Sequence, residues 1–238
     1  MIRVWVSSIR AGELAITGDE HHYVANVRRA QVGERIEVAD SAGWRAAAVI
    51  VAIAAKATTV RCDEPARVAQ PVPHVTAVVP FIKGDRMELC VEKLVEVGCS
   101  ELVLWDADRA VVRLDADRAA ARADKLHDVA RAATRQSGRG IAMAVRHVGT
   151  VARAIVDARG ARFVLVPDAA ALALAALAAL AAQDHVTLAS GPEGGFEAHE
   201  LATFTAAGFT PLGLGPRVLR AETAPVVAVA LIRAATGS

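Results

Sequence analysis

Cysteine is scarce in this chain and nothing in its spacing suggests pairing. The three residues, Cys62, Cys90 and Cys99, are odd in number and form no CxxC pair, which excludes a disulfide framework and fits a reduced cytoplasm. The seven histidines never fall at HxxxH spacing, so a metal site is unsupported and none is expected. Long apolar runs are missing too. The longest uncharged apolar stretch, the alanine-dominated residues 169–182, falls short of the about 20 residues that cross a bilayer, and the apolar run in MIRVWVSSIR is too short for a signal peptide. A cytoplasmic protein with no membrane partner is the expectation. Nor does one sign of charge dominate: 27 Lys and Arg against 26 Asp and Glu leave a net charge of +1, so no bulk basicity advertises nucleic acid. Lysine itself is rare, 4 against 23 arginines, and the guanidinium is the cation better suited to phosphate contacts. What is present is apolar content of 54% with 22% charged residues over 238 positions, enough for one or two domains with ample core.

Residues 188–225, LASGPEGGFEAHELATFTAAGFTPLGLGPRVLRAETAP, hold two glycine-rich turns, each after a short apolar run and each leading towards a helix. The first contains Gly191, Glu193, Gly194 and Gly195; the second runs Leu212, Gly213, Leu214, Gly215 and continues through Leu219 and Arg220 to Glu222. Glycines at such turns let backbone N–H and C=O groups approach a ligand with no Cβ in the way. The GxGxxG spacing of dinucleotide folds and the Lys-Ser/Thr of a P-loop are both absent. Glu193 inside the first loop and Glu197 just after it would repel a phosphate, so a neutral or cationic small molecule fits better.

The chain before this stretch falls into two parts. Residues 1–63 alternate short β-like runs with Gly12, Gly18, Gly33 and Gly43, a spacing that predicts a small barrel over residues 1–68, interrupted by a helical segment over 20–29. Pro65, Pro71 and Pro73 mark a linker over 64–74. From residue 74 to 238, strand-like runs alternate with helical patterns: 75–81, 101–105, 141–148, 162–168, 186–190 and 210–214 against helices at 87–98, before Gln136, at 151–157, 169–182, 197–207 and from Pro225 on. That alternation specifies an α/β domain with an open, mostly parallel sheet, in which ligands bind beyond the C-terminal strand ends. Pro167 and both glycine turns lie at such ends. Between Arg109 and Arg139 eight Lys or Arg face four Asp, the most basic stretch of the chain.

GPEGGF at 191–196 with Glu200 four residues on, followed by LGxGxRVLRAETA at 212–224, resembles the RsmE family of 16S (small-subunit) rRNA uridine-N3 methyltransferases in the SPOUT superfamily. The likeness extends through the chain. Residues 20–29 resemble that family's H-x-x-x-V-L-R segment, with Asn26 a departure; Lys83, Arg86, Glu88, Lys93, Glu96 and Gly98 match its K-x-x-R/K-x-E…K-x-x-E-x-G pattern; Asp106–Val112 is similar to its E-R-S-V-V element; and Gln136-Ser137-Gly138-Arg139 matches Q-S-x-R, although Arg135 stands where the family commonly has Glu. The resemblance implies a PUA-like RNA-binding barrel, a SPOUT domain with a deep trefoil knot, S-adenosylmethionine (SAM) held bent by the knot loops, a homodimer, and small-subunit rRNA or the assembled small subunit as substrate.

On that footing the cofactor contacts expected are Pro167, Gly191, Glu193, Gly194, Gly195, Leu212, Gly213, Leu214, Gly215 and Leu219. RNA contacts are expected from Arg28 and Arg29 in the barrel and from Lys83, Arg86, Arg109, Arg131, Gln136 and Arg139 beyond it. Methylating N3 of uridine requires loss of its proton and stabilisation of charge on the flanking carbonyls. Arg220 is the expected stabiliser, with Glu222 either as base or as the group that orients Arg220. Two other readings stay open: a SPOUT methyltransferase acting on tRNA or another base, and a catalytically idle RNA-binding protein.

Overall fold

The computed structural model describes residues 2–40, 42–170 and 174–237, which divide into two compact units, Met1–Gln70 with Thr134–Ala142, and Pro71–Ala133 with Met143–Ser238. In the first unit, β1 (Ile2–Val6), β2 (Gly12–Thr17), β3 (Arg35–Asp40), β4 (Trp44–Ile53), β5 (Ala57–Cys62) and β6 (Ala66–Arg67) form one sheet in the order β1-β3-β4-β5-β2, with β6 beside β4. Burial follows the two-residue period of a strand: Ala46, Ala48 and Ile50 of β4 point into a core shared with Val4, Ile16, Val38 and Val60. Among the described residues no ladder joins β1 to β2, so the expected barrel is not closed by hydrogen bonds. Helix α1 (Gly18–His22) instead contacts both end strands.

Two local expectations change here. The segment predicted as one helix over 20–29 is α1 followed by a π-helical turn, Tyr23–Val27, closed by the Arg28 N–H donating to the Tyr23 carbonyl at 2.8 Å. The proline-bearing linker also contributes a strand, because Ala66 and Arg67 pair with Arg45 and Trp44.

The second unit contains β7 (His74–Pro80), α2 (Arg86–Glu96), β8 (Glu101–Trp105), most of α3 (Ala116–Ser137), β9 (Ala144–His147), α4 (Val151–Val156), β10 (Ala161–Leu165), α5 (Leu174–Ala178), β11 (His185–Ala189), α6 (Ala198–Ala206), β12 (Thr210–Leu212) and α7 (Ala224–Thr236). The sheet order is β12-β10-β11-β7-β8-β9, and each of its ladders is parallel. Alternate residues of its strands feed two cores. Ala77, Val79, Leu102, Leu104 and Leu188 pack on one face with Met87, Cys90, Val91 and Leu94 of α2; Val78, Val103, Val164 and Ala189 pack on the other with Phe204 of α6. Strands covered on both faces read as continuous apolar runs, which is why they stood out in the sequence. The helix expected over 169–182 is α5 and a 3-10 turn at Ala179–Ala182; residues 171–173 lie outside the described residues.

Candidate active site

A cavity of about 550 Å³ opens at the C-terminal ends of β10, β11 and β12. Three strand ends build it: Leu165 to Pro167 after β10, Ser190 to Glu193 with Gly195 and Phe196 after β11, and Leu212, Leu214 and Arg217 to Glu222 after β12. Most of its lining is aliphatic, Val166, Leu201, Leu212, Leu214 and Leu219 among it. Among the described residues, the Ser190 Oγ and the Glu222 Oε2 are buried and have no hydrogen-bond partner.

The first turn is held from below and from the side. Phe196 stacks on the fully buried Trp105 at the end of β8, with ring centroids 6.1 Å apart and planes 16° off parallel, and Phe204 meets both rings edge-on. Glu197 is the N-cap of α6 rather than part of its first turn, and it forms a reciprocal capping box with Glu200. The buried Glu200 carboxylate accepts from the Glu197 N–H at 2.7 Å and from the Asp108 N–H at 2.8 Å, so it ties the loop after β8 to the loop after β11. Arg109 adds a 2.7 Å ion pair to Glu197 and a longer bond to the Gly194 carbonyl.

The second turn is fixed by a backbone crossing. The Gly213 N–H donates to the Ala170 carbonyl at 3.1 Å, and a Cβ at Gly213 would sit 2.0 Å from the Ala169 oxygen. Only glycine allows that approach.

Of the residues expected to contact a cofactor, the cavity is lined by Pro167, Gly191, Glu193, Gly195, Leu212, Leu214 and Leu219. Gly194, Gly213 and Gly215 are not among its lining residues. Gly194 turns towards Arg109, and Gly213 is committed to its crossing with Ala169 and Ala170. Arg220 and Glu222 both line the cavity, with Arg220 Nη1 4.0 Å from Glu222 Oε1. Their environments differ sharply: the Arg220 side chain is 76% exposed and that of Glu222 only 10%. Thr223 is the N-cap of α7 but makes no side-chain capping bond.

The basic residues separate by unit. In the first, Arg28 and Arg29 are exposed beyond the π-helical turn, Arg29 with a left-handed φ of 51°, and Gln136 is exposed at the end of α3. Arg139 is half-buried there, its carbonyl accepting a 2.8 Å bond from Arg3. Arg135, the departure from the family pattern, pairs with Glu20 at 3.0 Å and lies over the Tyr23 ring. In the second unit, Lys83 and Arg131 are exposed, Arg109 is engaged with the glycine loop, and Arg86 lines the cavity, where RNA-surface placement had been expected. Arg86, Ser190 and Arg217 were missed as cavity residues. The signal for Arg86 was available, because it starts the helix beyond the C-terminal end of β7, on the same edge as the glycine turns.

A family model described as RNA methyltransferase domain matches residues 69–233, and one described as RNA methyltransferase PUA domain matches residues 16–61. The ribosomal RNA small subunit methyltransferase E of Mycobacterium tuberculosis (strain CDC 1551 / Oshkosh) is 31% identical over 222 residues, covering 91% of this chain and 84% of that one. Its namesake from Bacillus subtilis (strain 168) is 26% identical over 232 residues, covering 93% and 90%. Among solved structures, a methyltransferase from Legionella pneumophila in complex with the cofactor SAM matches with a TM-score of 0.85 at 26% identity, over 98% of this chain and 97% of that one. The ribosomal RNA small subunit methyltransferase E from Neisseria gonorrhoeae, bound to S-adenosyl methionine, shares the fold with a TM-score of 0.84 at 23% identity, over 98% and 97%.

Proposed function

This chain belongs to the family of ribosomal RNA small subunit methyltransferase E, and from that premise we propose that it transfers the methyl group of SAM to N3 of a uridine in 16S rRNA. The observation that carries the reading is the cavity at the three strand ends, whose chemistry fits that cofactor. Aliphatic side chains of Val166, Leu212, Leu214 and Leu219 suit an adenine ring, the orphaned Ser190 Oγ offers a hydrogen bond, and two carboxylates, Glu193 and Glu222, suit a cation. When bound, the cofactor supplies an electrophilic methyl group on a sulfonium.

The chain's own residues then deal with the uridine. N3 carries a proton and no free lone pair, so transfer requires that proton to leave while charge spreads over N3 and the two flanking carbonyl oxygens. Arg220, exposed at the cavity mouth, offers its fork of donors to one of those oxygens and stabilises that charge. Glu222 is placed either to take the proton or to orient Arg220. Arg86 and Arg217 add positive charge around the same cavity, which suits an anionic, RNA-borne substrate.

Finer features belong to the same reading. The domain limits are 1–68 for the RNA-binding module and 74–238 for the methyltransferase, and the second is a SPOUT domain with a trefoil knot. The bond between Gly213 and Ala170 brings the chain after β12 against the chain after β10, the two loops that hold the cofactor in this reading. The enzyme is a cytoplasmic homodimer. Exposed apolar side chains on helices α2 and α7, Leu89 and Leu231, and at Val218 beside the cavity support a protein partner. Arg28, Arg29, Lys83, Arg131, Gln136 and Arg139 contact RNA, and no metal takes part. Calorimetry with SAM, followed by transfer of a labelled methyl group to isolated small subunits and to 16S rRNA, tests the function. Saturable cofactor binding with label in 16S rRNA is expected, whereas binding without transfer to either substrate would leave the tRNA-directed and the idle RNA-binding readings in its place.

A further inference from the structure

The Glu222 carboxylate is expensive where it stands. The residue is 9% exposed, its Oε2 is buried with no hydrogen-bond partner among the described residues, and the nearest ion-pairing cation, Arg220, approaches only Oε1 at 4.0 Å with a side chain that is itself mostly in water. Burying an ionised group without a partner is strongly unfavourable, and a cation brought to it recovers much of that cost. Glu193 lines the same cavity but is exposed, so water already screens it.

Resting on the SAM reading above, we propose that Glu222 is the counter-charge for the cofactor's sulfonium and makes the pocket select the methyl donor over the demethylated product. The substrate brings no cation to this carboxylate, because uridine is neutral and becomes anionic as N3 loses its proton. Of the two cations that SAM carries, the α-ammonium persists in the demethylated product, and only the charge at sulfur is lost on transfer. Transfer leaves the electron pair of the broken S–CH3 bond on sulfur, forms the N3–CH3 bond, and releases the N3 proton to solvent. Sulfur is then neutral and Glu222 is again without a partner, which favours departure of S-adenosylhomocysteine. With the N3 proton released to solvent, Glu222 keeps the orienting one of its two roles in methyl transfer.

Titration calorimetry on the wild-type protein, Glu222→Gln and Glu222→Asp, each with SAM and with S-adenosylhomocysteine, tests the assignment without reading activity. The wild type should prefer SAM by about tenfold, a difference of about 1.4 kcal/mol. Glu222→Gln should bring that ratio near one while affinity for S-adenosylhomocysteine changes by less than about twofold, and Glu222→Asp, which keeps the charge, should restore part of the preference. A ratio unchanged in Glu222→Gln, or equal losses for both ligands, would overturn the counter-charge role while leaving the cofactor reading intact. Failure of the wild type to bind either ligand would remove the cofactor reading and this role together.

Discussion

Arg220 and Glu222 lie two residues apart and differ in almost every physical respect, and the chemistry divides between them accordingly. An exposed guanidinium at the mouth can meet a substrate without disturbing the pocket, so Arg220→Ala should lower the single-turnover methylation rate by roughly a hundredfold while SAM affinity changes little. If SAM binding fell in proportion to the rate, Arg220 would be a cofactor ligand. The glycines separate in a similar way. Gly195 has a φ of +74° with open space where a Cβ would go, so Gly195→Ala introduces backbone strain of about 1 to 2 kcal/mol and should weaken SAM binding about tenfold. Gly208, with a φ of +79° but outside the cavity, is the control that should lose stability and keep affinity. Gly213 is constrained by the Ala169 carbonyl and not by a positive φ, a distinction that sequence cannot make because it depends on a chain segment some forty residues away. Cys90 of α2 is fully buried, and burial first, then Cys99 and Glu222, push its thiol from 9.0 up to about 12. A raised thiol pKa holds its stabilising effect below the unfolded value and loses it as pH climbs from about 9 towards 12. Urea midpoints measured between pH 8 and 11 should therefore fall, and fall less steeply in Cys90→Ala.

At the scale of elements, periodicity made α2 legible down to its buried side chains, because Met87, Cys90, Val91, Leu94 and Val95 recur at helical spacing. The core strands were legible for a different reason, their continuous apolar runs. The π-helical turn was not, since nothing local in Tyr23–Val27 separates it from an α-helix, and strand β6 arises from pairing with β4 despite a proline-rich surrounding. The role of α6 was half visible: a helix over 197–207 was expected, whereas the bond from Asp108 to Glu200 needs the fold. Glu200→Ala leaves two backbone N–H groups without their charged acceptor and should cost about 2 kcal/mol or more, read as a lower melting temperature. The exposed pair beyond the π-helical turn carries a separate expectation. Arg28→Ala with Arg29→Ala should weaken RNA binding and flatten the log-affinity against log-salt slope by roughly 0.7 to 0.9 for each phosphate no longer neutralised. Unchanged affinity and slope would remove the first unit as an RNA module.

For the whole molecule, the alternation of strands and helices was enough to anticipate a parallel α/β unit with a ligand site at its C-terminal strand edge, and the cavity is found there. Strand order was not legible, because hydrophobic pattern says which residues are buried and not which strand lies next to which. The assignment of Thr134–Ala142 to the first unit was equally hidden, since it breaks the continuity of the chain within a single helix. Neither omission touches the central claim, which concerns what this scaffold does to RNA. That claim is tested most directly by mass spectrometry of nucleosides from purified 16S rRNA, comparing a strain that lacks the gene with the same strain complemented by this chain. One N3-methyluridine per 16S rRNA should disappear on deletion and return on complementation, but not with the Arg220→Ala variant. An unchanged N3-methyluridine content in 16S rRNA, with a methylated nucleoside lost from tRNA instead, would contradict the claim.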